Sequence, residues 1–387
     1  MAKYLFTVQG EGRGHLTQAI SLTQILEEAG HEVVGYAVGT FQNRKIPSFF
    51  LDFIGDKKLI QYEAPSIIYG SGRSVKLFET AMQAVRKFKT YKKSAKKLND
   101  FIVESHPDAV VNFYESITGL YYFLYRSKVP CLSIGHQYLL LNKNFVSLNE
   151  KRLDRFLLNL NTKITGYGSR KFLGLSFTPL KNDINKNIYT VPPLLRKAVK
   201  EIQTSQSGNW LAYLTHYRLA DEIAAWHVHN PDVRIDCFWD HPTIREEFAY
   251  SKNLTFHPIN AEKYLEKMAQ CSGLISTAGF ESVAEAMYLG KPVMMVPVPN
   301  HIEQMINAFD GERAGAGIAS ESFDLDFFAE YLPHHESIEG SFHWWCGKSN
   351  QLFISHLEEL VGENIYDLPL TPSLPRRGWH EVPGVVN

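Results

Sequence analysis

Residues 274–308, LISTAGFESVAEAMYLGKPVMMVPVPNHIEQMINA, decide the fold class of this chain. Short apolar runs alternate with longer segments whose apolar residues have helical spacing. Small residues at 276–279 form a turn, and a helix is predicted over 282–289, with Gly290 suited to its C-terminal cap. The next apolar run, 292–297, is typical of a strand that is buried on both faces of a parallel sheet. The order strand, turn, helix, strand therefore predicts an α/β fold.

The same stretch carries a candidate ligand site. A turn of small residues that opens a helix, as at Gly279 and Ser282, presents backbone N–H groups and the positive end of the helix dipole, which favours phosphate. Glu285 lies one turn deeper and could accept hydrogen bonds from a ribose diol. Glu303 and Gln304 follow the next strand, where the loops of parallel sheets bind ligands. The alternative is an ordinary strand–helix–strand unit whose glycines serve packing alone.

Taken together, Gly279, Ser282, Glu285 and the pair Glu303 and Gln304 resemble the donor-nucleotide motif of the GT-B glycosyltransferases of the MurG-like group. The resemblance implies two doubly wound, Rossmann-like α/β domains that face each other across a cleft. It also implies that the small-residue turn holds a diphosphate, that the glutamate binds ribose, and that the Glu-Gln pair contacts the donor sugar.

In its second half, the sequence departs from the pattern of this group at two places. Thr277 stands where many relatives have a histidine that contacts phosphate, so a hydrogen-bond donor remains but the positive charge is lost. After the first strand of the second domain, relatives have a turn rich in glycine and serine, whereas this chain has His216, Tyr217 and Arg218. Arg218 could supply the phosphate contact that the altered turn loses.

The beginning of the chain contains a second glycine-rich turn, GEGRGH at residues 10–15, between a strand and a helix. It is not the GxGxxG dinucleotide fingerprint, because its third glycine comes one residue early. It resembles the first glycine loop of the MurG-like group, which implies that Gly12, Gly14 and His15 form the opposite wall of the cleft. His15 is a candidate catalytic base, because histidine titrates near neutral pH. Alternatively, it caps the helix.

Further cleft candidates follow two predicted strands of the first domain. The strand 108–114 ends near Asn112 and Glu115, and the strand 129–134 is followed by His136. Polar residues at the carboxyl ends of parallel strands commonly bind ligands. Glu115 is a second candidate for the general base, although a carboxylate at a helix N-terminus is often only a partner of the helix dipole.

A long helix is predicted over 74–104, with one apolar face and cations from Arg86 to Lys97 on the other. A basic helix face is usually a solvated surface. The alternative is attraction to an anionic membrane surface, which the resemblance favours because MurG-like enzymes use lipid-linked acceptors.

Composition limits the class of protein. The 387 residues suffice for two domains, and the net charge of −1 provides no field that would attract nucleic acid. Four separated cysteines predict reduced thiols, and the first residues resemble no signal peptide. The expected location is cytoplasmic, with peripheral attachment to the inner face of the membrane as an option. The chain shows no His-rich cluster, so we expect no required metal and no cofactor.

Domain boundaries are predicted from the paired prolines Pro192 and Pro193, which cannot continue a helix or a central strand. An acceptor-side domain is expected over 1–195 and a nucleotide-sugar domain over 196–350. Residues 351–387 are expected to form a helix that returns towards the first domain, followed by an irregular tail.

The resemblance implies an inverting, metal-independent hexosyltransferase. Its donor would be a nucleotide-sugar, a UDP-hexose or UDP-N-acetylhexosamine, which is a substrate and not a cofactor. Its acceptor would be a hydroxyl, soluble or lipid-linked. Two alternatives are a UDP-sugar 2-epimerase-like enzyme and a non-catalytic protein that binds nucleotide-sugars on the same fold.

Overall fold

A computed structural model describes residues 1–65, 82–83, 85–148, 151–214 and 217–366. The described chain forms two parallel-rich sheets of seven strands each, both covered by helices. The first sheet uses strands that end at Val191, and the second begins at Trp210.

The strands of the first sheet are short and almost continuously apolar, as expected for strands covered on both faces. They are β1 (Lys3–Gln9), β2 (Glu32–Thr40), β3 (Leu59–Glu63), β4 (Ala109–Phe113), β5 (Cys131–Ile134), β6 (Lys171–Leu175) and β7 (Ile188–Val191). Those of the second sheet are β8 (Trp210–Leu214), β9 (Ile235–Trp239), β10 (Phe248–Ala249), β11 (Leu254–Pro258), β12 (Gly273–Ser276), β13 (Val293–Met295) and β14 (Gly317–Ala319).

Helices connect most successive strands. The first domain has α1 (Gly14–Glu28), α2 (Ser48–Ile54), α3 (Phe88–Ser105), α4 (Ser116–Tyr125) and α5 (Arg152–Thr165). The remaining helices are α6 (Lys197–Glu201), α7 (Ala220–His229), α8 (Ala261–Gln270), α9 (Phe280–Tyr288), α10 (Ile302–Arg313), α11 (Leu325–Tyr331), α12 (Glu339–Cys346) and α13 (Ser349–Tyr366). Within the described ranges, none of the helices is both long enough and apolar enough to cross a membrane.

Strand order locates the crevice of each sheet. The orders are β3-β2-β1-β4-β5-β6-β7 and β10-β11-β9-β8-β12-β13-β14, parallel throughout except for the short edge strand β10. In the first sheet the order reverses between β1 and β4, and in the second between β8 and β12. Open parallel sheets bind ligands beyond the carboxyl ends of the strands at such reversals. The two glycine-bearing turns, at 10–14 and 276–279, follow β1 and β12 and therefore lie at these points.

The last helix joins the two domains. Helix α13 packs against α1, β5 and β7 of the first domain, and its Phe353, Leu357 and Leu360 are fully buried. The helix predicted to return towards the first domain is thus present. The tail from residue 367 onward lies outside the described residues.

Two predicted helix boundaries were wrong. Helix α9 begins at Phe280 and not at residue 282, so Glu281 belongs to its first turn. Helix α3 begins at Phe88 and does not run unbroken from residue 74, because Lys87 has the dihedral angles of a turn (φ −91°, ψ 4°). Residues 74–81 and 84 of the predicted helix lie outside the described part of the chain.

Two helical glycines offer a matched test of the packing between α4 and α5. A Cβ on Gly119 would lie 2.0 Å from the carbonyl oxygen of Ile164, whereas a Cβ on Gly340 would meet nothing within 4 Å. We expect Gly119→Ala to lower the free energy of unfolding by about 1–3 kcal/mol or more. Gly340→Ala should raise it by up to about 1 kcal/mol, because alanine favours helix. Denaturant unfolding of both variants checks this, and equal effects would contradict the close packing.

Candidate functional site

The first turns of α1 and α9 meet across the cleft between the two sheets. The side chain of Gln18 in α1 donates a 2.5 Å hydrogen bond from Nε2 to Oε1 of Glu281 in α9. Gly14 permits this approach, because a Cβ there would lie only 3.2 Å from Cγ of Glu281. Two helix N-termini, each with unpaired N–H groups and a positive dipole end, thus face one space.

The turn before α9 contains polar groups without partners. The side chains of Ser276 and Thr277 are buried, and neither hydroxyl has a hydrogen-bond partner among the described residues. Ala278 has a left-handed φ of +57°, and its carbonyl oxygen accepts a 3.0 Å hydrogen bond from Nδ2 of Asn307. A Cβ on Gly279 would meet nothing within 4 Å. Buried hydroxyls normally have partners, so this turn is suited to a ligand that accepts hydrogen bonds.

Phe280 anchors the turn to the first domain. Its ring stacks on His136 at 4.4 Å between centroids and on Phe177 at 4.5 Å. The His136 ring is fixed in turn by a 2.8 Å bond between Nδ1 and the carbonyl of Leu175. His136, predicted as a cleft residue, therefore lies beside the turn as a packing partner. Ser282 is half-buried on the same helix, near Tyr264.

Glu285 lies on α9 as predicted, but it already has a strong partner. Arg196, which follows the paired prolines, donates to both carboxylate oxygens at 2.6 and 2.7 Å. Glu285 is buried, so the bidentate pairing offsets the cost of desolvating its charge. Each carboxylate oxygen keeps a second lone-pair site, through which a ribose hydroxyl could still bind.

Glu303 and Gln304 lie in the first turn of α10. Oε1 of Glu303 accepts a 3.0 Å bond from Gln137 of the first domain, and Oε1 of Gln304 accepts a 2.8 Å bond from the backbone N–H of Val298. The side-chain oxygen of Gln304 therefore stabilises the loop that precedes α10. Glu303 reaches across the cleft towards the first domain.

His15 lies in the first turn of α1, close to the cleft. Its ring stacks on Tyr114 at 5.8 Å with an interplanar angle of 20°, and its Nδ1 lies 3.3 Å from Oε1 of Gln18. Burial lowers the pKa of His15 below its ordinary value of 6.5, while the charge of Glu303 and the Gln18 bond act in the opposite direction. A histidine with a lowered pKa is neutral near pH 7, as a proton acceptor must be. Gly12 is exposed in the preceding loop with a φ of +77°.

Glu115 and Asn112 have different surroundings from those expected of cleft residues. Glu115 caps α4: its carboxylate accepts from the backbone of Ile117 and Thr118, from the Thr118 hydroxyl and from Tyr62. Burial raises the pKa of Glu115 to about 7, although these bonds lower it. With four donors on a buried carboxylate, the geometry favours capping over catalysis.

Asn112 is fully buried inside the first sheet, and both ends of its amide are paired. Its nitrogen donates to Ser133 and to the carbonyl of Thr165, and its oxygen accepts from Thr7 and from the backbone of Glu115. The prediction that Asn112 faces the cleft was therefore wrong.

The altered turn of the second domain gives little support to the predicted phosphate contact. Arg218 is exposed, and its guanidinium lies over the ring of the neighbouring Tyr217 at 6.0 Å. His216 lies outside the described residues. The ligand contacts proposed for Arg218 and His216 remain predictions.

Three residues that the sequence did not single out belong to the site. Arg196 had no signal beyond its place after the prolines, because its partner Glu285 is 89 residues away. Gln18 could have been noticed, since it lies three residues after His15 on the same helix face. Glu281 is half-buried and its pKa is raised to about 8, chiefly by burial. The place of Glu281 in the cleft follows from the start of α9 at Phe280, which puts Glu281 in the first turn of the helix.

Comparisons with known proteins agree with this architecture. Residues 2–333 match the family model described as "Glycosyl transferase family 1". A protein of Lactobacillus helveticus, named UDP-N-acetylglucosamine--N-acetylmuramyl-(pentapeptide) pyrophosphoryl-undecaprenol N-acetylglucosamine transferase, is 44% identical over 55 residues, covering 14% of this chain and 15% of that protein. The protein of the same name from Lactobacillus delbrueckii subsp. bulgaricus is 40% identical over 65 residues, covering 16% and 18%. The matched segments thus span less than a fifth of these relatives' length.

Solved structures are similar over nearly the whole chain. Acinetobacter baumannii MurG has a TM-score of 0.56 at 16% identity, covering 93% of this chain and 100% of that chain. Phytolacca americana UGT2, complexed with UDP-2fluoro-glucose and pterostilbene, has a TM-score of 0.62 at 12% identity, covering 94% and 100%. These similarities confirm the predicted fold of two doubly wound domains. Because the family model covers most of the chain, the protein belongs to glycosyl transferase family 1 and has the GT-B fold.

Proposed function

We propose that this protein transfers a sugar from a UDP-sugar to an acceptor hydroxyl, with inversion at the sugar carbon. One observation carries the proposal: two helix N-termini face one space in the interdomain cleft, and the buried hydroxyls of Ser276 and Thr277 have no partner there among the described residues. Such a space suits a diphosphate, which accepts hydrogen bonds and is stabilised by both dipoles. Structurally similar proteins have been solved in complex with UDP-2fluoro-glucose or UDP, which supports the choice of donor.

The donor would lie along α9 and α10. Gly279, Ser282 and Thr277 would hold the diphosphate, and Glu285 would accept from the ribose while Arg196 keeps its carboxylate in place. Glu303 with Gln304 would contact the sugar. As the bond from sugar to diphosphate breaks, its electron pair remains on the diphosphate, where the helix dipoles stabilise the new charge. Metal independence stays a prediction.

His15 would act as the base. Its ring nitrogen would accept the proton of the acceptor hydroxyl while that oxygen forms the new bond to the sugar carbon and the diphosphate leaves from the opposite face. The proton is thus transferred to the imidazole and the electron pair to the diphosphate. Glu115, the other base candidate, is already bound to four donors.

The donor site is tested by thermal stabilisation with a panel of nucleotides and UDP-sugars. A ligand at a hundred times its Kd should stabilise the fold by about 2.7 kcal/mol. We expect UDP or one UDP-sugar to raise the Tm, and Glu285→Ala to abolish that rise. Because Glu285→Ala leaves Arg196 unpaired and lowers the Tm by itself, the comparison is the shift upon addition of ligand. No shift with any nucleotide would contradict the proposal.

The catalytic role is tested with His15→Ala. This variant should still bind UDP but lose about 10²–10⁴-fold in kcat, the usual contribution of a general base. In the wild type, kcat should fall only as the pH drops through the lowered pKa of His15, below 6.5, because the imidazole is then protonated. Initial rates from pH 5 to 8 measure both. Sugar isomer formed without acceptor would favour the 2-epimerase-like alternative, and UDP binding without any turnover would favour the non-catalytic one.

We further propose that the acceptor is lipid-linked and that the first domain docks on an anionic bilayer. Helices α3, α4 and α5 form one layer, in which α3 packs on α4 and α4 on α5. The outer face of α5 is apolar, although it is exposed: Leu153, Phe156, Leu160 and Ile164 follow each other at helical spacing and are 43–67% exposed. An exposed stripe of this kind marks an interaction surface.

The positive charges beside this stripe indicate the kind of surface that it would bind. The exposed side chains of Arg152 and Lys163 flank it on α5, and exposed lysines continue along α3, within the predicted basic segment from Arg86 to Lys97. Apolar residues beside cations suit an anionic lipid surface. The inner face of α5 reaches the cleft, because Thr162 bonds the hydroxyl of Tyr114, the residue that stacks on His15. A docked bilayer would therefore lie near the base.

Cosedimentation with vesicles that contain anionic phospholipid tests this surface. Burying one large apolar side chain contributes about 1.5–3 kcal/mol, so the double variant Phe156→Ser/Leu160→Ser should bind vesicles more than tenfold more weakly. Trp344→Ser, which removes a side chain of similar exposure from the second domain, is the matched control and should bind normally. Binding should also weaken with salt. Equal binding by the double variant and the control would contradict the proposal.

A further inference from the structure

A chain of two hydrogen bonds crosses the cleft from the proposed base to the donor helix. Nδ1 of His15 lies 3.3 Å from Oε1 of Gln18, and Nε2 of Gln18 donates to Oε1 of Glu281 at 2.5 Å. The first two residues belong to α1 in the first domain, and the third belongs to α9 in the second. Gln18 is buried, and these are its only side-chain partners within the described chain.

The direction of these bonds selects a tautomer of His15. An amide oxygen can only accept, so Nδ1 of His15 must carry the hydrogen, and Nε2 keeps its lone pair. The orientation of the Gln18 amide is set at its other end, where the carboxyl of Glu281 accepts from the NH₂ group. A reversed amide would place its oxygen against the Glu281 carboxyl and its NH₂ against Nδ1, which would move the hydrogen of His15 to Nε2 and remove the base.

From this geometry we infer that Gln18 and Glu281 are positioning residues, which hold His15 in the tautomer of a base when the two domains are closed. The inference rests on the proposed function of His15 for its catalytic meaning, but the tautomer itself does not depend on activity. Glu281 is the only one of the three on the donor domain, so opening of the cleft would release the Gln18 amide. The readiness of the base would thus depend on closure over the donor.

The surroundings of Glu281 fit this role. Gly14 leaves room for its side chain to reach Gln18. Its charged neighbours are Glu285 and Arg196, which neutralise each other in a bidentate pair, and burial raises the pKa of Glu281 to about 8. The hydrogen bond from Gln18 acts against this shift, because it stabilises the charged carboxylate, which can only accept and so fixes the direction of the Gln18 amide. A glutamine at this position keeps an oxygen that can accept from the Gln18 NH₂ group.

The first experiment measures the tautomer of His15 in the protein without ligand and in the protein with UDP, so that both the open and the closed cleft are sampled. Imidazole ¹⁵N chemical shifts distinguish hydrogen on Nδ1 from hydrogen on Nε2, and the His15 signals are identified by their loss in His15→Ala. We expect hydrogen on Nδ1 in the wild type and in Glu281→Gln, which keeps an accepting oxygen. In Glu281→Ala and in Gln18→Met, which conserves volume but removes both bonds, the hydrogen should shift towards Nε2.

The second experiment measures turnover in the same proteins. Glu281→Ala and Gln18→Met should lose roughly 10–100-fold in kcat with little change in KM for the donor, as expected for residues that orient a catalytic group. Glu281→Gln should retain activity. A role in donor binding would instead raise KM, and a role of the carboxylate charge would also inactivate Glu281→Gln.

The outcomes separate the inference from the proposed function. If the ¹⁵N shifts of His15 are the same in the wild type, Glu281→Ala and Gln18→Met both without ligand and with UDP, the positioning role is overturned, whatever the activity. If the shifts change as expected but no acceptor panel gives turnover, the positioning holds and the proposed transfer fails. Should Gln18→Met not fold, the comparison of Glu281→Ala with Glu281→Gln decides alone, because their substitutions lie on the partly exposed first turn of α9.

Discussion

The stacking of Phe280 against His136 and Phe177 is the contact on which the geometry of the cleft depends. It joins the first turn of the donor helix to the aromatic interior of the other domain, with centroids 4.4 and 4.5 Å apart. Buried, stacked rings resist sliding past each other, because sliding would expose their apolar surface and disrupt their close packing. The turn at Ser276 and Thr277 is thereby held opposite α1, and the polar contacts across the cleft follow from that placement.

The cleft is rich in carboxylates, although its proposed ligand is an anion. Three glutamates, Glu281, Glu285 and Glu303, project into it from α9 and α10, and each has a partner: Gln18, Arg196 and Gln137. Pairing with arginine compensates the charge of Glu285, and burial raises the pKa of Glu281 to about 8. Glu303 keeps its charge beside Gln137, and the two helix N-termini contribute a positive field at the turn.

The two faces of helix α5 would connect the proposed binding at the surface with the proposed chemistry in the cleft. Its inner face supports Tyr114 through Thr162, and Tyr114 supports the ring of His15. Its outer face is the exposed apolar stripe. A rigid helix that contacts both places fixes their separation, so an acceptor held at the surface would meet the base at a defined distance. An apolar stripe on an exposed helix is unusual, because polar residues are common on such a face.

By itself, the sequence determined the α/β class, the two domains, and the two small-residue turns, because strand and helix periodicities and glycine positions are local properties. Gly279, Ser282, Glu285 and His15 were predicted as site residues in this way, since each lies within a few residues of its turn. Only the tertiary structure decided which side chains meet. It placed Arg196 on Glu285 and Gln18 on Glu281 across 89 and 263 residues, and it turned Asn112 and Glu115 away from the cleft into the interior of the first domain. The physical reason is that hydrogen bonds between distant elements depend on how the sheets and helices pack, which no local pattern records.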